Sequence, residues 1–221
     1  MKRFIILGVF IISLVFPRRD CLKQAETFAL GRSTRPEKDT FAISDSGYFY
    51  IWYDTLGSDA PDLIDLDSNN IPDYIDEVSI IADSAYHVLV DLMGFSAPPA
   101  DEDGFYDIYL ESYADGVYGY NTPDAKSQNP SGATSYLQID NDYVGFDSQF
   151  ELSEIEIMRI SIGHEFFHGI QWGYVRNKSN NSYFYEMTSM WFEDILIPDG
   201  NDYLDGWPDP LLDNPTADFD N

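Results

Sequence analysis

The stretch "SEIEIMRISIGHEFFHGIQWGY", residues 153–174, most constrains what this chain can fold into. Ser153 followed three residues later by Glu156 spells a capping box, the reciprocal pairing that starts a helix. An apolar helix then runs to about Tyr174. Such a helix must be covered by other elements, so the rest of the domain has to be built around it. Phe166 and Phe167 read as core packing.

The helix also carries two of the chain's three histidines. Positions i and i+4 sit one turn apart on the same helix face. His164 and His168 can therefore hold one Zn²⁺ through their imidazoles. Glu165 projects beside that face, where it can take a proton from a zinc-bound water and later pass it to a leaving amine. This is the H-E-x-x-H pattern of zinc metalloproteases. With 3 His and 11 Glu in 221 residues, chance supplies roughly 0.002 such matches. The bland alternative is a helix whose histidines only pack.

A catalytic zinc needs three protein ligands and an open position. The three-histidine extension H-E-x-x-H-x-x-G-x-x-H fails here, because Gln171 stands at the Gly position and Tyr174 at the last His. The remaining histidine, His87, lies far upstream on a different expected helix. The third ligand is therefore expected to be a carboxylate. Glu186 lies 18 residues beyond His168, enough for a helix end, a turn and an antiparallel return. Glu193 follows two turns later on nearly the same face. It could support a ligand or stand in for Glu186, with a surface helix glutamate as the default. Asp194 is rotated away. Met187 and Trp191 read as packing.

The other segments set the class. "YFYIWY" (48–53), "FYDIYL" (105–110) and "TSYLQID" (134–140) are strand candidates. Apolar spacing predicts a helix from Asp73 to Leu92, ended by Gly94. "GVYGYNTPD" reads as turn-rich, "RNKSNNS" (176–182) as a loop, and 183–196 as a second late helix. Mixed strands followed by two helices imply an α+β domain.

A second candidate cation site precedes the first helix. "DLDSNNIPDYID" (65–76) puts oxygen side chains at loop positions 1, 3, 5, 9 and 12: Asp65, Asp67, Asn69, Asp73 and Asp76. Ile71 at position 7 would offer its carbonyl. This is close to the twelve-residue Ca²⁺ loop. Asn70 replaces the usual Gly and tolerates the left-handed backbone needed there. A polar turn capping the helix is the competing reading. "DEDGFYD" (101–107) is a weaker acidic cluster and reads as a turn. Over residues 39–221 the chain has 36 acidic against four basic residues, a net of −32. That balance excludes a nucleic-acid partner and repels anionic membranes.

His164-Glu165-Phe-Phe-His168 followed by Glu186-Met-Thr-Ser189 resembles the glutamate zincins (gluzincins), the thermolysin-like zinc metallopeptidases. "YEMTSMWFED" is also similar to the E-G-x-A-x-W-x-E stretch of exported bacterial metalloproteases, and "NNIPDYID" to dockerin and thrombospondin type 3 calcium loops. The likeness is specific over about 160–195 and loose over about 45–145. It implies a zincin-like fold, a mixed sheet with an active-site helix and a following ligand helix. It further implies Zn²⁺ on His164, His168 and Glu186, with Glu165 as base. An edge strand beside the helix would bind substrate backbone, and "TSYLQID" is the candidate. A downstream His or Tyr usually stabilises the oxyanion; Tyr174, Tyr183, Tyr185 and Tyr203 all stay open. Two departures stand out. Met187 replaces a common Gly, and Met190 occupies the position of an Asp that supports a ligand histidine, so support must come from elsewhere.

At the N-terminus, Lys2 and Arg3 precede thirteen mostly apolar residues, Phe4 to Phe16. That pattern matches a signal-peptide core, or an uncleaved anchor, over 1–22. Residues 23–40 read as a linker or propeptide remnant, and 41–221 as the catalytic domain, truncated at a tail with no closing element. The expected protein is a secreted, monomeric zinc endopeptidase acting on protein or peptide substrates, with structural Ca²⁺ and membrane contact only through its N-terminal segment. Two rivals remain: a non-catalytic, calcium-stabilised surface or adhesion module with a vestigial zinc site, and a zinc hydrolase acting on something other than peptides.

Overall fold

The computed structural model describes residues 35–113, 117–124, 132–144, 152–175, 182–198 and 200. The signal or anchor segment 1–22, residues 23–34 of the expected linker, and Tyr203 with the tail lie outside the described residues.

Five strands form one mixed sheet: β1 (Thr40–Ile43), β2 (Phe49–Tyr53), β3 (Tyr106–Glu111), β4 (Gly119–Pro123) and β5 (Ser135–Asp140), in the order β1-β2-β3-β5-β4. β1 and β4 run antiparallel to their neighbours, while β2, β3 and β5 are mutually parallel. Helix α1 (Asp73–Tyr86) continues through a π-helical turn, His87–Leu92. Helices α2 (Glu154–Tyr174) and α3 (Ser182–Leu196) are the last elements among the described residues. The domain is thus α+β with a mixed sheet. The helical pattern over 73–92 is matched, and Gly94 ends it with φ +80°, a conformation glycine adopts without penalty. Among the described residues no helix is long and apolar enough to cross a membrane.

Alternation in β2 sends Phe49, Ile51 and Tyr53 into the core. They meet Ile108 and Leu110 of β3, Leu137 and Ile139 of β5, and Ile75, Val78 and Ala82 of α1. Helix α2 lies against this face and is buried from Ile157 to Trp172 except at Arg159. Phe166 is fully buried among Phe49, Tyr86 and Tyr106. Truncating it to Ala would cost about 3–5 kcal/mol. Both phenylalanines of the motif belong to this core, as their chemistry suggested.

The opposite face of the sheet is aromatic: Phe41, Tyr50, Trp52 and Tyr109 contact one another in sequence across β1, β2 and β3. Arg35 and Lys38, in the segment read as a linker, are bound to the sheet and its loops. Arg35 pairs with Asp101, Asp107 and Asp124, and Lys38 with Asp54, Asp59 and Glu111.

"TSYLQID" forms β5, which lies inside the sheet between β3 and β4. The expectation that it is the edge strand is corrected. The edge beside α2 is β4, from the segment that read as turns, and its Gly, Asn and Pro hid it from any propensity argument.

Candidate metal centre

The capping box forms as the sequence predicts. Ser153 N–H donates to Glu156 Oε2 at 2.8 Å, and Glu156 N–H donates to Ser153 Oγ at 3.3 Å. One helical turn then separates His164 from His168, whose ring centroids lie 4.7 Å apart. Helix α3 returns alongside and brings Glu186 opposite them. Its Oε2 lies 3.1 Å from His164 Nε2 and 3.4 Å from His168 Nε2. One ligand atom from each of the three residues falls within 4.8 Å of the other two.

Each histidine is oriented from behind. His164 Nδ1 donates to the carboxylate of Glu193, which is 3% exposed. His168 Nδ1 lies 2.9 Å from Gln171 Oε1 and 3.1 Å from Ser189 Oγ. Gln171 Nε2 donates to Tyr185 O at 3.0 Å and Thr188 Oγ1 at 2.9 Å, so its Oε1 is the atom turned to His168. An acceptor at each Nδ1 holds a proton there, so that a metal would replace only the Nε2 proton that otherwise faces Glu186, giving the tautomer a metal requires. Glu193 is therefore no surface glutamate. It supplies the support that Met190 cannot, and Gln171, noted in the sequence only for not being Gly, supports the other histidine.

Burial alone would raise the Glu186 carboxyl, but the imidazoles of His168 and His164 hold it well below the usual carboxylate range. Glu165 is 1% exposed, and among the described residues its Oε2 has no hydrogen-bond partner. A buried carboxylate oxygen left without a partner is costly. Here it adjoins His164, where an incoming polar group would satisfy it. These observations fit a small divalent cation held by two imidazoles and one carboxylate, the donor set of a catalytic zinc site.

Strand β4 runs beside this helix. A Cβ built on Gly119 would stand 3.5 Å from Glu165 Cγ and 2.6 Å from Gln138 O. Asp124 N–H bonds Thr134 O at 2.8 Å, one position beyond the Pro123–Ser135 pair. Alternation along an antiparallel ladder then turns the main-chain groups of Gly119 and Asn121 toward the outer edge of β4, which no strand among the described residues covers. Pro123 has no N–H to offer there.

Of the downstream tyrosines, Tyr174 is 53% exposed and its hydroxyl accepts from Ser96 N–H at 3.0 Å. Tyr185 packs against Ala133 and Trp172. The side chain of Tyr183 lies outside the described residues. A tyrosine upstream, missed in the sequence, has the open hydroxyl. Tyr113 Oη is buried without a hydrogen-bond partner among the described residues, and burial, with Glu111 and Glu165 among the nearby charges, pushes its phenol up.

In the acidic loop, carboxylate oxygens of Asp65, Asp67 and Asp73 converge within 4.8 Å. Asn69 N–H donates to Asp65 at 3.2 Å and to Asp67 at 3.0 Å. Leu66 N–H donates to Asp73 at 3.0 Å. Asn70 has φ +73°, the left-handed backbone expected of position 6. Asp76 stands outside the trio, its carboxylate accepting from Asn69 Nδ2 at 2.9 Å. Ile71 donates its N–H to Asn69 Oδ1 at 2.7 Å.

No protein-family model matches this chain, and no curated protein or solved structure matches it either.

Proposed function

We propose that this chain is an exported, zinc-dependent endopeptidase domain of zincin-like fold. One observation carries the reading: His164, His168 and Glu186 converge with both imidazoles held at Nδ1, beside a buried Glu165 whose Oε2 has no hydrogen-bond partner among the described residues. A purely structural zinc site closes with four protein ligands and has no use for a buried base beside it.

Bound Zn²⁺ would supply a Lewis acid and an acidified water. The remaining work belongs to the chain. Glu165 accepts the proton of the attacking water and passes it to the leaving amine, and among the described residues no hydrogen bond at Oε2 has to break first. Glu193 and Gln171 keep the imidazoles aimed. Gly119 and Asn121 present main-chain groups on the open edge of β4, to which an extended peptide can add as a further strand. The acidic loop is proposed as a structural Ca²⁺ site built on Asp65, Asp67, Asn69, Ile71, Asp73 and Asp76, tying β2 to α1. A location outside the cell rests on the pattern of residues 2–16, and the acidic surface leaves peptides rather than nucleic acid as the substrate.

Glu165→Gln is the decisive test. Zinc should remain at one ion per chain, while peptide cleavage falls by about 10²–10⁴-fold, the range for a lost general base. A well-folded wild-type protein that takes up no zinc would sink the reading.

A further inference from the structure

The buried side chain of Asn121 joins edge strand β4 to the helix that carries Glu165, and Ser161 Oγ of the same helix donates to Tyr118 O, just before the strand, at 2.7 Å. Asn121 is 1% exposed. Its Nδ2 donates to the main-chain carbonyl of Glu165 at 2.7 Å and to Tyr106 Oη at 2.9 Å. Tyr106 Oη lies in turn 2.8 Å from Ser135 Oγ. The approach is close because Gly169, one turn beyond Glu165, has no side chain. A Cβ there would meet Tyr106 Oη at 2.3 Å and Asn121 Nδ2 at 3.1 Å. A Cβ on Gly119, two residues before Asn121, would meet Gln138 O at 2.6 Å and the helix's Ser161 Oγ at 3.1 Å.

The main-chain carbonyl of Glu165 lies inside α2, where helical geometry already supplies a partner four residues on. Asn121 is therefore an added bond, and its geometric content is a fixed distance between strand and helix. The same residue turns its own N–H and C=O to the open edge of β4. One residue thus touches both the surface on which an extended peptide would lie and the backbone of the base.

We propose that Asn121 is a positioning residue: it sets the height of the β4 edge against Glu165, and so the placement of a bound peptide bond relative to the base. This rests on the peptidase reading above. Misplacement of reacting groups by about 1 Å can cost on the order of 100-fold in rate, so a single amide in this location has leverage on turnover without touching substrate through its side chain.

The test compares Asn121→Leu with Ser135→Ala, which disturbs the same Tyr106 network without touching Glu165. Three quantities are read on the full chain: zinc content, kcat and KM for a quenched peptide, and amide hydrogen exchange over 161–170 in zinc-free protein. Asn121→Leu should keep stoichiometric zinc, lose about 10–100-fold in kcat with KM within about threefold, and exchange about fivefold faster over 161–170. Ser135→Ala should stay within about twofold of wild type in kcat and in that exchange. Unchanged exchange in Asn121→Leu overturns the proposal, as does a kcat within twofold of wild type. If Asn121→Leu fails to fold, Asn121→Ser is read the same way, since its shorter side chain cannot span to the helix carbonyl. If wild type binds zinc but cleaves no peptide, the peptidase reading fails, and the exchange result alone decides whether Asn121 couples strand to helix.

Discussion

Two regions of this molecule gather carboxylates around a space of ion size, and they do so in opposite ways. The centre on α2 and α3 is buried, mixes nitrogen and oxygen donors, and has a residue behind each imidazole. The loop at 65–76 is largely exposed, offers oxygen donors alone, and satisfies its carboxylates with its own main-chain N–H groups. Long-range packing preorganises the first, so its geometry can exist before any ion arrives. Local turn chemistry preorganises the second, at the cost of holding three like charges together. A soft-to-borderline cation suits the first donor set and a hard cation the second.

The largest effect that probes this contrast is Glu186→Ala. It should abolish stoichiometric zinc and all peptide cleavage while leaving the loop's response to calcium intact. Zinc retained at one per chain would mean that Glu186 is no ligand. Next comes Glu193→Gln, which keeps the shape but removes the charge behind His164. Zinc affinity should fall about 10–100-fold, the usual range for a lost outer partner of a ligand histidine. A competition titration with a chromophoric chelator measures it. An unchanged affinity would return Glu193 to a packing role.

Calcium should act on stability rather than chemistry. At a free concentration about 100 times its Kd, a ligand bound only by the folded state adds about 2.7 kcal/mol. Calcium should therefore raise Tm by several degrees, and Asp67→Asn should remove most of that rise with zinc content unaffected. A wild-type Tm indifferent to calcium would leave the loop as a polar cap on α1.

What could be read in the chain divides along the same line. The loop was legible because all its parts lie within twelve residues and its left-handed Asn70 sits at a fixed offset. His164, Glu165 and His168 were legible for the same reason, and Glu186 by elimination among few histidines. The supports behind the ligands were not. Glu193 resembles any helix glutamate until α3 is seen against α2, and Gln171 registered only as a failed match to a longer motif. β4 was lost because Gly119 and Asn121 are selected for contact with the helix rather than for strand propensity. Arg35 and Lys38 read as linker because their six carboxylate partners are spread from Asp54 to Asp124.

Asp140 supplies a stability test of similar size and the sharpest one physically. It is as buried as Glu193, at 3% exposure, and no described cation pairs with it. Burial pushes its carboxyl up to about 6, against hydrogen bonds from Tyr113 N–H at 3.3 Å and Asn141 N–H at 2.9 Å. Glu186, facing imidazoles, moves the other way. Main-chain amides alone thus fail to offset burial and the neighbouring Asp142 charge here. The sign follows from linkage. The folded value lies above the unfolded value of about 3.9, so the contribution to stability is fully present below about pH 4 and is lost as pH rises through about 6. Asp140→Asn mimics the protonated form at every pH. The variant should match wild type near pH 4 and exceed it above pH 7, by up to about 3 kcal/mol. Denaturant melts of both proteins from pH 4 to 8 measure this difference. A difference that stays flat across the range would show that the amides satisfy this carboxylate after all, and the contrast between the two regions would lose its electrostatic basis.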